Sequence, residues 1–230
     1  MKNTFAGIAL LFSMSVIADD HAVVVSQAMA SISNDYRDEW AFTESETEDG
    51  VTTVGRYDPR FPRGERWTLL SVDGRQPAED EMADYRNDRG DDFSNDDDDD
   101  SDNEIEIIDV NTLELIEETD DYWIFSFSPD IGDDDETARK FMNKVIGTVK
   151  IIRDGNYLEY IDMRNEKPIR PAFSVRIARF ITRLEFGKAG GDGPIVPLSV
   201  DVEIKGRAAL VVSIDEREST RYSDYEYAGT

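Results

Sequence analysis

The chain has 230 residues, with 51 acidic against 25 basic side chains, a formal net charge of −26, one His and zero Cys. Charge of this sign repels nucleic-acid phosphates and anionic membrane surfaces, so neither is an expected partner and membrane contact is at most transient. The missing cysteines exclude disulfide scaffolds and thiol nucleophiles, and a single histidine, His21, leaves no basis for a His triad or a multi-His metal site.

Residues 1–18 carry Lys2, an apolar run from Phe5 to Phe12 and a small residue at Ala18. That pattern predicts a secretory signal peptide cleaved after Ala18 and a periplasmic address. The apolar run is too short for a stable span, and nothing later approaches the ~20 apolar residues of a membrane helix. Ala22, Val25, Met29, Ile32 and Tyr36 then fall at helical spacing, which predicts an amphipathic helix opening the mature chain behind Asp19 and Asp20.

Residues 40–43 and 51–57 read as strands of a hairpin around Glu48, Asp49 and Gly50, and 66–72 as a third strand stopped by Asp73 and Gly74. Pro77 suits the first position of a short helix with Ala78, Met82 and Tyr85 as its stripe. Residues 87–103 are crowded with aspartate and contain Phe93 as the sole apolar side chain, which predicts a disordered acidic linker. The aspartate run 96–100 has neither the ligand spacing nor the glycine turn of a calcium loop.

Strands are expected at 105–108, 113–116 and 122–127, followed by a helix with Asp133, Asp134, Asp135 and Glu136 at its start and Ala138, Phe141, Met142 and Val145 on its apolar face. Two more strands, 147–153 and 157–163, flank the turn Asp154-Gly155-Asn156. In 173–186 the apolar parity slips between Ala178 and Arg179, so a bulge is predicted there, bending the strand while both halves face one core. Alternation from Val196 to Ile204 and from Ala208 to Ile214 predicts a hairpin with Lys205-Gly206-Arg207 as its loop. That register sets Ile204 on Ala208, Val202 on Leu210, Val200 on Val212 and Leu198 on Ile214. The fold class is mainly β (α+β): a curled antiparallel sheet forming an open half-barrel, with an N-terminal helix and one or two inserted helices as a lid. Residues 19–230 form one domain interrupted by the acidic linker.

No carboxylate pair stands out for catalysis, and Gly190, Gly191 and Gly193 lack the setting of a phosphate loop. No catalytic residue, metal or cofactor is assigned. Trp123, Phe125 and Phe127 share one strand face, and Phe173, Val175 and Ile177 another; both carry more bulk than a thin sheet buries against itself. Arg56, Arg60, Arg63 and Arg66 lie among aromatic residues, suited to an acidic partner or lipid headgroup, or to pairing with local carboxylates.

The order of parts resembles the LolA/LolB-like superfamily of periplasmic lipoprotein-localisation proteins. The resemblance rests on Trp40-Ala41-Phe42, Gly55-Arg56-Tyr57, the helix around 138–145 and the strands after it. It implies a half-barrel whose concave face holds acyl chains beneath helical lids. Trp123, Phe125, Phe127, Phe173, Val175 and Ile177 are then the expected lining, with Arg56 the nearest match to an arginine at the start of the sheet. The expected function is a non-enzymatic binding protein or carrier for a lipid-like or acylated ligand, lipoproteins included. The alternative is an interaction protein with a filled half-barrel and an acidic partner-binding loop.

Overall fold

Turn chemistry sets the path of the chain. Asp49 and Gly50 both have positive φ, 50° and 84°, forming a two-residue turn whose twist matches that of paired strands. It joins β1 (Trp40–Glu48) to β2 (Val51–Tyr57). Asp73 and Gly74 have positive φ too and close β3 (Trp67–Val72), as expected. Gly155 and Asn156 do the same between β6 (Val145–Ile152) and β7 (Tyr157–Asn165).

The computed structural model describes residues 14–33, 36–90, 107–129, 136–209 and 212–229. With β4 (Glu114–Glu118), β5 (Tyr122–Phe127), β8 (Ile169–Ala172), β9 (Val175–Lys188), β10 (Ile195–Ala208) and β11 (Val212–Tyr227), the strands make one sheet. Its order is β3-β2-β1-β11-β10-β9-β7-β6-β5-β4, with β8 on β9, and these strands pair antiparallel throughout. The sheet is curled and open, a half-barrel not closed into a barrel. Four helices accompany it: α1 (Met14–Ala30), α2 (Tyr36–Glu39), α3 (Glu79–Gly90) and α4 (Glu136–Met142).

The predicted bulge is present. Lys205 pairs with Arg179 and Gly206 with Ile177, so Ala178 is the extra residue of β9. Ile177 before it and Phe180, Leu184 and Phe186 after it all reach the same apolar core. Asn165, the last residue of β7, serves the backbone at this break: its Oδ1 accepts from Phe180 N at 2.6 Å and its Nδ2 donates to Lys167 O at 2.9 Å.

The hairpin register differs from expectation. Gly206 lies inside β10, not in a turn, and the chain reverses after Ala208, which pairs with Val212; Ala209 has φ 48°. Ile204 therefore faces Glu216, Val202 faces Glu218 and Val200 faces Thr220. The match for the apolar side of β10 comes from its other neighbour, where Phe180 pairs with Ile204 and Leu184 with Val200. Gly206 is where β9 approaches closely, since a Cβ there would sit 2.5 Å from Arg176 O. A second register shift between Pro197 and Ser199 turns Leu198 out to solvent while Val196 and Ser199 are buried.

Three further expectations shift. The helix expected through Tyr36 ends at Ala30, because Ser31 Oγ caps Ala28 O and Ser33 N donates instead to Ile195 O at 2.9 Å; Tyr36 opens α2. α3 continues to Gly90, four residues into the segment read as linker, held by Arg89 on Glu44 and Glu46 of β1. The rest of that linker, 91–103, lies outside the described residues. Residues 107 and 108 form a turn and one bridge, Ile108 to Pro129, and not a strand, because Ile108 is a core side chain; 105 and 106, like the acids 133–135, lie outside the described residues.

Two tests follow from this arrangement. Asn165→Ala strips the acceptor from the half-buried Phe180 N–H and should cost about 1–3 kcal/mol in urea unfolding, whereas Asn165→Asp, which keeps an acceptor, should cost less. The Glu81 carboxyl is held down to about 2, first by the Arg75 guanidinium and then by Ala78 N–H. A depressed folded-state value stabilises above the ordinary carboxylate range and is lost as pH falls through it. Glu81→Gln should therefore lower Tm at pH 7, with the gap to the wild type closing as pH falls from about 4.5 to about 2.

Candidate functional site

The concave face begins as alternation. In β5 and β6 the buried face recurs at every second residue, and in β7 a one-residue register shift separates Leu158 from Ile161. The register places Phe125 beside Val149 and Val149 beside Ile161, with Ile151 beside Leu158. All five are fully buried. Gly147 allows the closest approach: a Cβ there would come within 2.1 Å of the Phe127 ring, so the aromatic packs flat onto the β6 backbone.

Three pieces cover this face. From α1, Val25 and Ala28 are buried and Val24 and Met29 pack against the core, while the His21 ring lies 5.1 Å from that of Phe125. From α4, Phe141 and Met142 reach in, with Phe141 edge-on to Phe180 at 5.1 Å. Ile107, Ile108, Val110 and Leu113 close the third side. Trp123, Phe125, Phe127, Val175 and Ile177 are thus brought into one cluster, as their shared faces implied.

Two proposed lining residues are elsewhere. Phe173 does not share a strand face with Val175; it sits in the turn before β9, fully exposed, because β8 ends at Ala172 and the chain must reverse there. Arg56 is on β2, near the opposite edge of the sheet from β5. Its neighbours Gly55 and Tyr57 are buried, and alternation turns Arg56 to the other face, where it donates to Asp224 O at 2.8 Å and pairs with Glu226 at 3.2 Å. Arg60 is bound to Asp58 at 2.7 Å, which holds that carboxyl below its usual range, and Arg66 donates to Phe61 O and Tyr57 Oη. Arg56, Arg60 and Arg66 of this basic cluster are each held by local acceptors.

The other end of the sheet has a second core of different chemistry. Tyr36, Phe42, Tyr57 and Trp67 are buried with Tyr85, Tyr222 and Tyr225 around them. Among them lies Glu44, 3% exposed, paired with Arg89 at 2.8 Å; the same guanidinium stacks over Trp67 and Tyr85 at 5.2 and 5.6 Å. Burial pushes the hydroxyls of Tyr85, Tyr222 and Tyr225 well above their usual range. Glu44 was missed by sequence reasoning, although its parity with Phe42 on β1 is a readable signal.

On the opposite face of the central strands, charges neutralise one another across the register. Glu203 meets Arg179 at 2.7 Å, Lys205 at 3.2 Å and Arg217 at 3.4 Å, and Asp201 meets Arg221 at 2.9 Å. Among the described residues no group of three or more His, Asp or Glu could hold a metal ion, and no helix is long and apolar enough to cross a membrane.

A missed feature lies at the lip of the concave core. Lys140 and Lys144 near the end of α4 meet Lys167 and Arg170, at and just before β8, around an open cleft of ≈ 600 Å³. Lys140 is in the last turn of α4 and Lys144 in the turn that follows, a spacing of four that the sequence displays; their meeting with Lys167 and Arg170 needs α4 packed on β8.

Arg89→Ala removes the guanidinium that pairs with the buried Glu44 and should destabilise the fold by about 3 kcal/mol. Adding Glu44→Gln should recover part of that loss, measured by urea unfolding.

No protein-family model, curated protein or solved structure matches the chain.

Proposed function

We propose that the protein is an exported, periplasmic, non-enzymatic binding protein for a lipid-like or acylated ligand, a carrier of lipids or of the acyl chains of lipoproteins. The observation behind this reading is the make-up of the concave face. Phe125, Val149, Ile151, Leu158 and Ile161 form a continuous aliphatic and aromatic surface, while among the described side chains of α1 Val25 and Ala28 are its buried cover. Apolar area that a helix of this cover shields is area an acyl chain covers equally well when that helix swings away, since the driving force depends on area and not on direction. α1 and α4 are the lid in this reading.

The same burial favours a second reading. Phe125, Phe127 and Ile177 are already consumed by the protein's own core. If the lid does not move, the half-barrel is a solid scaffold, and the acidic run 91–103 is the partner-binding element.

Lid motion separates the two. Asn156 Nδ2 on the β6–β7 turn donates to Gln27 Oε1 of α1 at 3.5 Å, and the chain has no cysteine of its own. Gln27→Cys with Asn156→Cys, joined by a short thiol crosslinker, should abolish binding of a fluorescent fatty acid by the delipidated protein, while the uncrosslinked double variant binds like the wild type. Absence of binding in all three, with no lipid in mass spectra of the native protein, would move the weight to the scaffold reading.

A further inference from the structure

The basic cleft between α4 and β8 stands out against the charge balance of the chain. Acidic residues outnumber basic ones two to one, and many described cations sit against a carboxylate, in the Glu203 ladder, at Glu226 or at Glu44. Lys144, Lys167 and Arg170 instead converge on one cleft, with Glu166 as the one carboxylate among its described lining residues, and among the described residues none of the three has an ion-pair partner.

Three cations against one carboxylate leave a net positive cleft, and their repulsion is relieved by an anion from outside. An ammonium suits a point anion, and a guanidinium forks onto the two oxygens of a carboxylate or phosphate. Helix-end electrostatics accounts for Lys140 in the last turn of α4 and Lys144 just beyond it, but not for Lys167 and Arg170, which come from a different part of the chain.

The floor of the cleft is apolar. Val145 and Ile169, which line it, are buried members of the same core that contains Phe125 and Phe127. A molecule seated there with its charge on the cations has the concave face directly beneath it. We infer that this cleft is the headgroup site of the carrier, and that the ligand is an anionic amphiphile whose carboxylate or phosphate is held by Lys144, Lys167 and Arg170 while its chain enters the core past Val145 and Ile169. This rests on the binding-protein reading above and adds the sign of the ligand's charge and its point of entry.

The test compares a fluorescent fatty acid, its methyl ester and inorganic phosphate on the full-length delipidated protein. The acid should bind about tenfold more tightly than the ester, the preference shrinking with added salt. The triple variant Lys144→Gln, Lys167→Gln, Arg170→Gln should erase that preference and leave ester affinity and Tm unchanged, these side chains being exposed. Equal binding of acid and ester, unaltered in the triple variant, overturns the headgroup site and leaves the carrier reading standing. Binding of neither overturns both, and phosphate-induced shifts of cleft resonances in that case reassign the cleft to a free anion.

Discussion

Everything in this fold depends on one apolar side staying inward along a strand that cannot keep a single register. β9 pairs with β10 over its whole length, with β7 in its second half and with β8 at its start. A uniform period of two through it would put either Ile177 or the series Phe180, Leu184 and Phe186 on the wrong face, because a one-residue slip exchanges the faces. Ala178 absorbs the extra residue, and the Asn165 amide takes up the Ala178 carbonyl and the Phe180 N–H. The bend this produces turns a broad sheet into a half-barrel with a concavity to cover.

The two ends of that concavity are filled by different means. Under α1 and α4 the contacts are aliphatic and phenyl, adaptable and without polar requirements. At the other end the tyrosines and Trp67 enclose an ion pair, where each polar group demands a defined partner. The first kind of interior tolerates exchange of one apolar cover for another, and the second resists it. In the proposed binding-protein reading, the ligand site lies beneath α1 and a rigid wall beneath α3.

Charge shapes the surface. β4 is an edge strand with every residue exposed, including Leu115 and Ile116, yet Glu114, Glu117 and Glu118 flank them. An edge charged in this way discourages strand-to-strand association. Across the middle of the sheet, the Glu203 and Asp201 pairs make the outer face nearly self-neutral, whereas Lys144, Lys167 and Arg170 gather in one cleft between α4 and β8.

Local rules were legible in the sequence because their causes are local. The turns at Asp49-Gly50, Asp73-Gly74 and Gly155-Asn156 depend on residues that accept positive φ. The bulge at Ala178 was readable as a change of parity, and the mainly β half-barrel as the sum of such alternations. The β10–β11 register was not, since alternation says which residues share a face but not which neighbour matches them; β9 supplied the match to Ile204 and Val200, so Gly206 became a close approach and not a turn. For the same reason the sequence alone determined that Trp123, Phe125 and Phe127 are one face, whereas only the tertiary structure decided that Phe173 lies outside, that Arg56 binds Glu226, that Glu44 is buried with Arg89, and that Lys144, Lys167 and Arg170 meet. Those pairings join residues far apart along the chain, and which distant partner a side chain meets is set by packing that no local pattern encodes.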